Sequence, residues 1–259
     1  MIDAHIHLEQ YTDSELEPML RGLAGHDLHS LVAVSMNLDS CIRTQDIALR
    51  YPGRVKPAYG FHPEQPVPAE EELAALMKWI GQHAEEMVAV GEIGLPYYSR
   101  AEALQRGETF EMEPYLRVLD ELLALAARLD KPVVLHAVYE DALTVCDLLE
   151  KHGITRAHFH WFKGPEEAVR RMVERGYHIS FTPDIVYEPE IQELARRYPP
   201  GLVMAETDGP WAFEGPFAGQ STHPAMVHHV ADAWAALHGY SAVQAKAMLT
   251  ANTARFYQL

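Results

Sequence analysis

The sequence opens with Asp3-Ala4-His5-Ile6-His7, a stretch in which polar and apolar residues alternate. Successive side chains of a strand point to opposite faces, so Asp3, His5 and His7 would share one face and the apolar residues the other. Two imidazoles that lie two residues apart at a rigid strand end can reach one metal ion. A pair of surface histidines on an edge strand would give the same pattern, so this stretch alone leaves both interpretations open.

The rest of the chain repeats one arrangement, a short apolar run followed by a segment of helical periodicity. Examples are the long helical pattern at 113–129 and the runs predicted as strands at 31–36, 87–95, 132–136, 156–162 and 201–208. Eight short apolar strands occur in all, and helical segments separate nearly all of them. The pattern predicts an α/β protein in which residues 1–259 form a single domain, a (β/α)8 or TIM barrel.

Composition and charge narrow the classes of function. The 37 acidic and 21 basic residues give a formal net charge of −16, which repels phosphate backbones, so we expect no general nucleic-acid-binding surface. Cys41 and Cys146 form neither a disulfide framework nor a metal-binding spacing, so nitrogen and oxygen atoms would hold any metal. No apolar stretch approaches the roughly 18 residues of a membrane helix and the start lacks a secretory signal, which predicts a cytoplasmic protein.

Polar residues recur at the ends of the predicted strands. Parallel barrel strands all open on one face at their C-terminal ends, so these side chains are expected to converge there. They are His5, His7, His62, Glu92, His136, His160 and Asp208. A single histidine of this kind is more often a hydrogen-bonded, partly buried residue, and the joint occurrence favours a metal site. Six nitrogen and oxygen ligands exceed what one zinc ion uses, so we predict two ions roughly 3.5–4 Å apart with Glu92 as the bridge.

Several motifs resemble those of the TatD family of metal-dependent hydrolases, which belong to the amidohydrolase-like barrels. In chain order they are DAHIHL (3–8), GFHP (60–63), GEIGL (91–95) with Tyr97 and Tyr98, PVVLH (132–136), HWFKG (160–164) and ETDGP (206–210). The NTARF segment (252–256) resembles the closing motif of the family. The motifs run in family order across essentially the whole chain, which makes the set specific.

The resemblance implies two divalent metal ions and the hydrolysis of phosphodiesters, often described as a deoxyribonuclease activity. By the resemblance, one ion would be held by His5, His7, Glu92 and Asp208. The second ion would be held by Glu92, His136 and His160. Imidazole and carboxylate ligands accept zinc, manganese, iron or magnesium, so the metal stays open.

The resemblance also implies roles in catalysis. A water between the ions, its pKa lowered toward neutral, would attack phosphorus. Asp208 would orient or deprotonate this water, and Glu92 would bridge the ions. His62 would donate a proton to the leaving group or contact the substrate, with a loop-anchoring hydrogen bond as the alternative. The substrate would be a small-molecule or nucleic-acid phosphoester, and the oligomeric state stays open.

The sequence departs from the family pattern near the substrate. The family usually follows the fifth-strand histidine with Ser-Arg-Asp, whereas residues 137–141 (AVYED) offer no arginine for bidentate phosphate binding. The family's Gly-Leu-Asp becomes GLP at 94–96, and the region 99–113 is longer than usual and would form a lid or a different substrate wall. Two alternatives therefore stay open: a hydrolase of the same scaffold acting on a lactone, an amide or another small non-phosphate substrate, and a metal-binding barrel without turnover.

Other polar and aromatic residues near the predicted strand ends have supporting roles by this interpretation. His158 shares a strand face with His160 and would line the barrel, and Glu206 would be a structural ion-pair partner. Lys163 would either face a substrate phosphate or be solvated. The aromatic residues that follow the predicted ligands would frame a pocket or, as is more common, pack in the interior; they are Tyr97, Tyr98, Trp161 and Trp211.

Overall fold

The computed structural model describes all 259 residues, and its eight strands form one sheet in sequence order, with every neighbouring pair parallel. The strands are β1 (Ile2–Ile6), β2 (Ser30–Ala33), β3 (Val55–Tyr59), β4 (Ala89–Gly94), β5 (Val133–His136), β6 (Ala157–Phe159), β7 (His178–Phe181) and β8 (Val203–Ala205). The Asp208 N–H donates to the His5 carbonyl (3.0 Å) and the His7 N–H to the Gly209 carbonyl (2.8 Å), which joins the chain after β8 to β1. The sheet is a nearly closed barrel, so the predicted TIM barrel is confirmed.

Ten helices connect the strands and cover the barrel. They are α1 (Asp13–Gly22), α2 (Leu38–Arg50), α3 (Glu70–Gln82), α4 (Tyr97–Gln105), α5 (Glu113–Arg128), α6 (Asp141–Lys151), α7 (Glu166–Glu174), α8 (Pro189–Arg197), α9 (Val227–His238) and α10 (Ala242–Tyr257). In α5 the residues Leu119, Leu122, Leu123 and Ala126 are buried, as their helical spacing predicts. None of the ten helices is long and apolar enough to span a lipid bilayer.

The predicted alternation of faces along β1 is wrong in one respect. Ala4 packs with Met204 in the cluster that fills the barrel interior, whereas Ile6 belongs to the core between the strands and the helices. The pairing register of β1 with β2 shifts between Asp3 and Ile6. An irregularity of this kind inserts an extra residue and redirects side chains, and it is common beside active sites. The site-facing orientation of His5 therefore depends on this irregularity as well as on the two-residue period.

One helix of the structure is not predicted by the sequence. Helix α4 lies in the long region after β4, and Ala103 is its only buried residue. It therefore lacks the apolar stripe by which periodicity reveals a helix. Its N-terminal turns contribute Tyr98, Ser99 and Glu102 to the wall of a cavity of about 720 Å³ at the open end of the barrel. The long region is thus a wall of that cavity, which was one of the two alternatives considered from the sequence.

The strands end earlier than the apolar runs suggest, and this places the polar residues just beyond them. The run at 156–162 contains only the three-residue strand β6, so His160 follows the strand directly. The run at 201–208 contains only β8, and Asp208 lies three residues past its end. Side chains at these positions face the open end of the barrel, where backbone pairing no longer restricts them.

The C-terminal helix is fixed to the barrel by a buried amide, which allows a test of the fold. Asn252 of α10 is 2% exposed and donates to the carbonyls of Pro200 and Val203, both at 2.8 Å. We expect Asn252→Ala to lower the free energy of unfolding by about 2 kcal/mol, because one buried and one partly buried carbonyl lose their donor.

Urea unfolding followed by circular dichroism measures this loss. Val243→Ala in the same helix is the control, because Val243 is 79% exposed, and it should change the stability by less than about 0.5 kcal/mol. Equal stability of Asn252→Ala and the control would contradict this account of α10.

Candidate metal centre

Glu92, on β4, lies at the centre of a buried cluster of imidazoles. Its Oε1 atom is 2.8 Å from His160 Nε2, 3.0 Å from His136 Nδ1 and 3.2 Å from His62 Nε2. Burial alone would raise the pKa of this carboxyl, but the surrounding histidines, with His160 the strongest, hold it well below its ordinary value. Glu92 is therefore an ionised carboxylate that can accept from several directions.

The other oxygen of Glu92 faces the first strand. Glu92 Oε2 is 3.2 Å from His5 Nε2 and 3.2 Å from His7 Nε2. Asp208 completes this side of the cluster, with its Oδ1 atom 3.2 Å from His5 Nε2 and 3.7 Å from His7 Nε2. Residues separated by about two hundred positions in the chain thus meet at one carboxylate.

Three groups of donor atoms are compact enough to hold an ion, with all atoms of a group within 4.8 Å of one another. The groups are His5, His160 and Asp208; His5, His7 and Glu92; and His62, Glu92 and His136. All six predicted ligands lie in this cluster. The grouping differs from the division implied by the family resemblance, because His160 forms a group with His5 and Asp208 and because His62 joins Glu92 and His136.

The donor set fits divalent metal ions. His5 Nε2 and Asp208 Oδ1 are buried and lack a hydrogen-bond partner, although they lie 3.2 Å apart. Unpartnered buried polar atoms are costly, and a cation between them would satisfy both. Imidazole nitrogens and carboxylate oxygens are the ligands of zinc, manganese and iron in hydrolases.

Two of the histidines are oriented by carboxylates on their outer side. His7 Nδ1 lies 3.1 Å from Glu9 Oε1, and His136 Nε2 lies 3.2 Å from Glu64 Oε1. A carboxylate accepts from a ring N–H, so in each neutral ring the opposite nitrogen is left without a proton. That nitrogen faces Glu92 in both cases. This carboxylate–imidazole arrangement is typical of histidines that bind metals.

A buried polar chain supports the third histidine. His160 Nδ1 faces Glu206 Oε1 at 3.4 Å, and Glu206 Oε2 accepts from the Ser180 hydroxyl (2.5 Å). His158 Nε2 lies 2.6 Å from the same hydroxyl, and its Nδ1 lies 2.7 Å from the Tyr257 hydroxyl. His158 therefore lines the barrel and Glu206 is an ion-pair partner, as the sequence indicated. This series of polar contacts links the orientation of His160 to the closing helix α10.

His62 differs from the other histidines because a backbone donor fixes its ring. The Glu64 N–H donates to His62 Nδ1 at 3.2 Å, so the proton of the neutral ring lies on Nε2, the atom that faces Glu92. Burial lowers the pKa of His62, which favours this neutral form. An imidazole with a proton on Nε2 can donate there but cannot bind a metal through that atom.

Glu64 is a site residue that the sequence reasoning missed. Besides the contact with His136, it accepts from the backbone N–H groups of Tyr98 (2.8 Å) and Ser99 (2.7 Å) at the start of α4. Burial would raise its pKa, but the hydrogen bonds from His136 and Ser99 lower it to about 2. The only signal in the sequence was an acidic residue two positions after His62, a pattern that also occurs in ordinary loops.

A second acidic residue, Asp3, fixes the chain after β8. Its carboxyl accepts from the Thr207 N–H (3.0 Å), the Thr207 hydroxyl and the His5 N–H (3.2 Å). Burial is the main reason that the pKa of Asp3 is raised, to about 8. Asp3 contacts no candidate ligand side chain, so it holds the backbone that carries His5 and Asp208 rather than an ion.

A glycine brings two of the strand ends together. A Cβ atom on Gly94 would collide with the carbonyl oxygen of His136 on the neighbouring strand β5. Only glycine allows this approach of the two backbones. This approach keeps Glu92 Oε1 at 3.0 Å from His136 Nδ1. The GEIG segment therefore contributes the candidate ligand Glu92, and its second glycine leaves room for the backbone of His136.

The chain is similar to several known proteins. It is 37% identical to a protein of Haemophilus influenzae named "Uncharacterized metal-dependent hydrolase", over 83% of each chain. It is 28% identical to the human protein named "Deoxyribonuclease TATDN3", over 81% of this chain and 78% of that protein. Among solved structures, YjjV of Escherichia coli, described as a TatD homologue, matches with a TM-score of 0.87 and 24% identity, over 100% of this chain and 98% of that one.

A TIM barrel with imidazoles and carboxylates gathered at its strand ends defines a metal-dependent hydrolase. The chain belongs to the family of TatD-related DNases, whose sequence profile matches residues 2–258. The resemblance seen in the motifs is therefore confirmed over nearly the whole chain.

The contact between Glu64 and His136 leads to a prediction about metal binding. We expect Glu64→Ala to weaken metal binding by roughly tenfold to a hundredfold, because the ring of His136 loses its orienting acceptor. Titration of the metal-free protein by calorimetry measures this change. Glu64→Gln keeps an acceptor oxygen and should lose less.

Glu102→Gln is the matched control, because Glu102 lines the same cavity without contacting a histidine. Its affinity for metal should equal that of the wild type. If Glu64→Ala also binds metal as the wild type does, Glu64 does not orient His136.

Proposed function

We propose that this chain hydrolyses a phosphodiester with two divalent ions bound at the candidate metal centre. The observation that carries the proposal is the arrangement of His7, His136 and His160, whose inner nitrogens converge on Glu92 while their outer nitrogens face carboxylates. One ion would be held by His5, His7, Glu92 and Asp208. The other would be held by Glu92, His136 and His160. His62 is left out of the ligand set because its Nε2 atom carries the proton.

The ions, when bound, supply a water nucleophile at neutral pH and neutralise charge on the phosphoryl oxygens. Asp208 is placed to take the proton of the attacking water, because its Oδ1 atom is unpartnered and the residue lines the cavity. Burial would raise the pKa of Asp208, but the histidines around it, His5 first, keep it below the ordinary value. Asp208 is therefore ionised and able to act as a base.

His62 stabilises the leaving group on the other side of the reaction. As water attacks phosphorus, the bond from phosphorus to the leaving oxygen breaks, and that oxygen accepts a hydrogen bond from His62 Nε2 while solvent supplies its proton. The Glu64 N–H holds the ring in the orientation that keeps the Nε2 proton at the cavity. Asp208 releases the proton of the attacking water to solvent, which balances the proton that the leaving group takes.

Deoxyribonuclease activity is one form of this reaction, and the name of the human relative supports it. The missing arginine after β5 favours instead a small substrate, including an ester or a lactone. Assays on single-stranded DNA, an aryl phosphodiester and an aryl ester or lactone panel separate these functions. Turnover confined to esters or lactones would replace the phosphodiester proposal, and bound ions without any turnover would leave a metal-binding barrel.

The central test is hydrolysis of bis(p-nitrophenyl) phosphate by protein loaded with zinc, manganese, magnesium or ferrous iron. We expect chelation, Asp208→Asn and His136→Ala each to lower kcat/KM by about a hundredfold or more, because each removes a ligand, the base or the ions. Asp46→Asn, on the exposed surface of α2, is the control and should keep wild-type activity. Wild-type activity in chelated protein or in Asp208→Asn would overturn the proposal.

The role of His62 predicts a dependence on the leaving group. His62→Asn should slow an alkyl phosphodiester by roughly a hundredfold and bis(p-nitrophenyl) phosphate far less, because p-nitrophenolate leaves without a proton. Steady-state kinetics on the two substrates gives the ratio. An equal loss on both substrates would show that His62 binds the phosphate or anchors the loop instead.

A further inference from the structure

The cavity above the candidate metal centre has a volume of about 720 Å³ and an exposed aromatic wall. Trp211 is 58% exposed and Tyr98 is 45% exposed, although both line the cavity. The partly buried ring of Trp161 lies 5.5 Å from that of Trp211, edge to face. Trp211 and Tyr98 therefore frame the cavity, which was one of the two roles considered from the sequence. Exposed rings beside a reaction centre suit a flat group that stacks against them.

Hydrogen bonds hold this wall in place. Trp161 Nε1 donates to Asp184 Oδ2 at 2.5 Å, which fixes the plane of the indole ring. The Glu214 N–H donates to the Tyr187 hydroxyl at 3.1 Å, which ties the loop after β8 to the segment after β7. The rings are thus positioned before a ligand binds, and less conformational freedom is lost on binding.

The same cavity is acidic beyond the metal centre. Glu188 and Glu214 line it, and neither side chain forms a hydrogen bond or an ion pair. Lys163 is the only lysine or arginine of the cavity wall, and its Nζ atom lies 3.8 Å from Asp184 Oδ2 and 5.1 Å from the centre of the Trp161 ring. One partly neutralised lysine cannot balance the carboxylates around it.

The one arginine of α4, Arg100, forms ion pairs outside the cavity. Arg100 is 17% exposed, and its guanidinium donates to Asp141 Oδ1 (2.8 Å) and Glu140 Oε1 (3.3 Å). It does not line the cavity. No arginine of the cavity wall therefore replaces the one that the family usually has after β5. The phosphates of a polynucleotide that extend beyond the metal centre would face carboxylates.

We infer that the substrate is a small phosphodiester whose scissile phosphate is its only anionic group and whose flat part, uncharged or cationic, stacks on Trp211 beside Glu188 and Glu214. The inference rests on the proposed function, and it selects small diesters over polynucleotides. Each added phosphate near an unpaired carboxylate is repelled, and at physiological ionic strength salt screens this repulsion only in part within about 10 Å.

Two substrates with the same scissile bond test this inference. They are the p-nitrophenyl ester of thymidine 5′-phosphate and the 5′-p-nitrophenyl ester of an oligothymidylate, which adds phosphates and leaves the reacting group unchanged. We expect kcat/KM to be higher for the mononucleoside ester. Added sodium chloride should reduce the difference, whereas an enzyme with a basic groove would lose its oligonucleotide activity as salt rises.

Variants that remove carboxylate charges test which residues cause the preference for the mononucleoside ester. Glu188→Gln with Glu214→Gln should raise kcat/KM for the oligothymidylate ester, relative to kcat/KM for the mononucleoside ester, on the order of fivefold. Glu85→Gln with Glu174→Gln is the matched control, because these exposed residues precede β4 and β7 at the opposite end of the barrel. The control should change neither substrate.

Trp211→Ala tests the stacking surface. It should lower kcat/KM for the mononucleoside ester roughly tenfold, through KM rather than kcat, because one stacking contact is lost. Because Trp211 is exposed, we expect this variant to fold like the wild type. A wild-type KM in Trp211→Ala, or an oligothymidylate ester that reacts as fast as the mononucleoside ester, would overturn the inference and leave the proposed function standing. Failure of the metal-loaded protein to hydrolyse any diester, including bis(p-nitrophenyl) phosphate, would overturn both.

Discussion

A fully buried, ionised carboxylate is the constraint on which this site depends. Glu92 has no solvent contact, so its charge is stable only where neighbouring groups replace water. Five imidazoles surround its two oxygens, and they come from strands or loops at opposite sides of the barrel. Barrel closure is therefore required for the charge of Glu92, and Glu92 in turn gives the strand ends a common centre. The stability of the fold and the chemistry of the site rest on the same contacts.

The histidines around Glu92 are distinguished by what their outer nitrogens meet. His7 and His136 face carboxylates, which leaves the inner nitrogen of the neutral ring free to bind a cation, whereas His62 receives a backbone N–H and keeps its proton on the inner nitrogen. The same side-chain type is thus suited to two tasks within a few ångströms. Glu64 contributes to both, since its backbone fixes His62 and its side chain contacts His136.

The candidate ligands and the wall of the cavity lie on different parts of the fold. The candidate ligands lie on strands or within three residues of a strand end, where the barrel holds the backbone. The wall comes from α4 and from the loop after β8, which carries Trp211 and Glu214, and such segments change without disturbing the barrel. A shared reaction centre is therefore compatible with a substrate that differs from the DNA named for the human relative.

The sequence by itself determined the alternation of strands and helices, and with it the barrel and the convergence of His5, Glu92, His136 and Asp208 at one face. These features follow from local periodicity and from the common direction of parallel strands. Only the tertiary structure decided which nitrogen of each ring faces the centre, the role of Glu64, and the helix α4, which has almost no buried face. The reason is physical: the contact of Glu64 with His136 joins residues 72 positions apart, and no local pattern records which atoms of distant side chains meet.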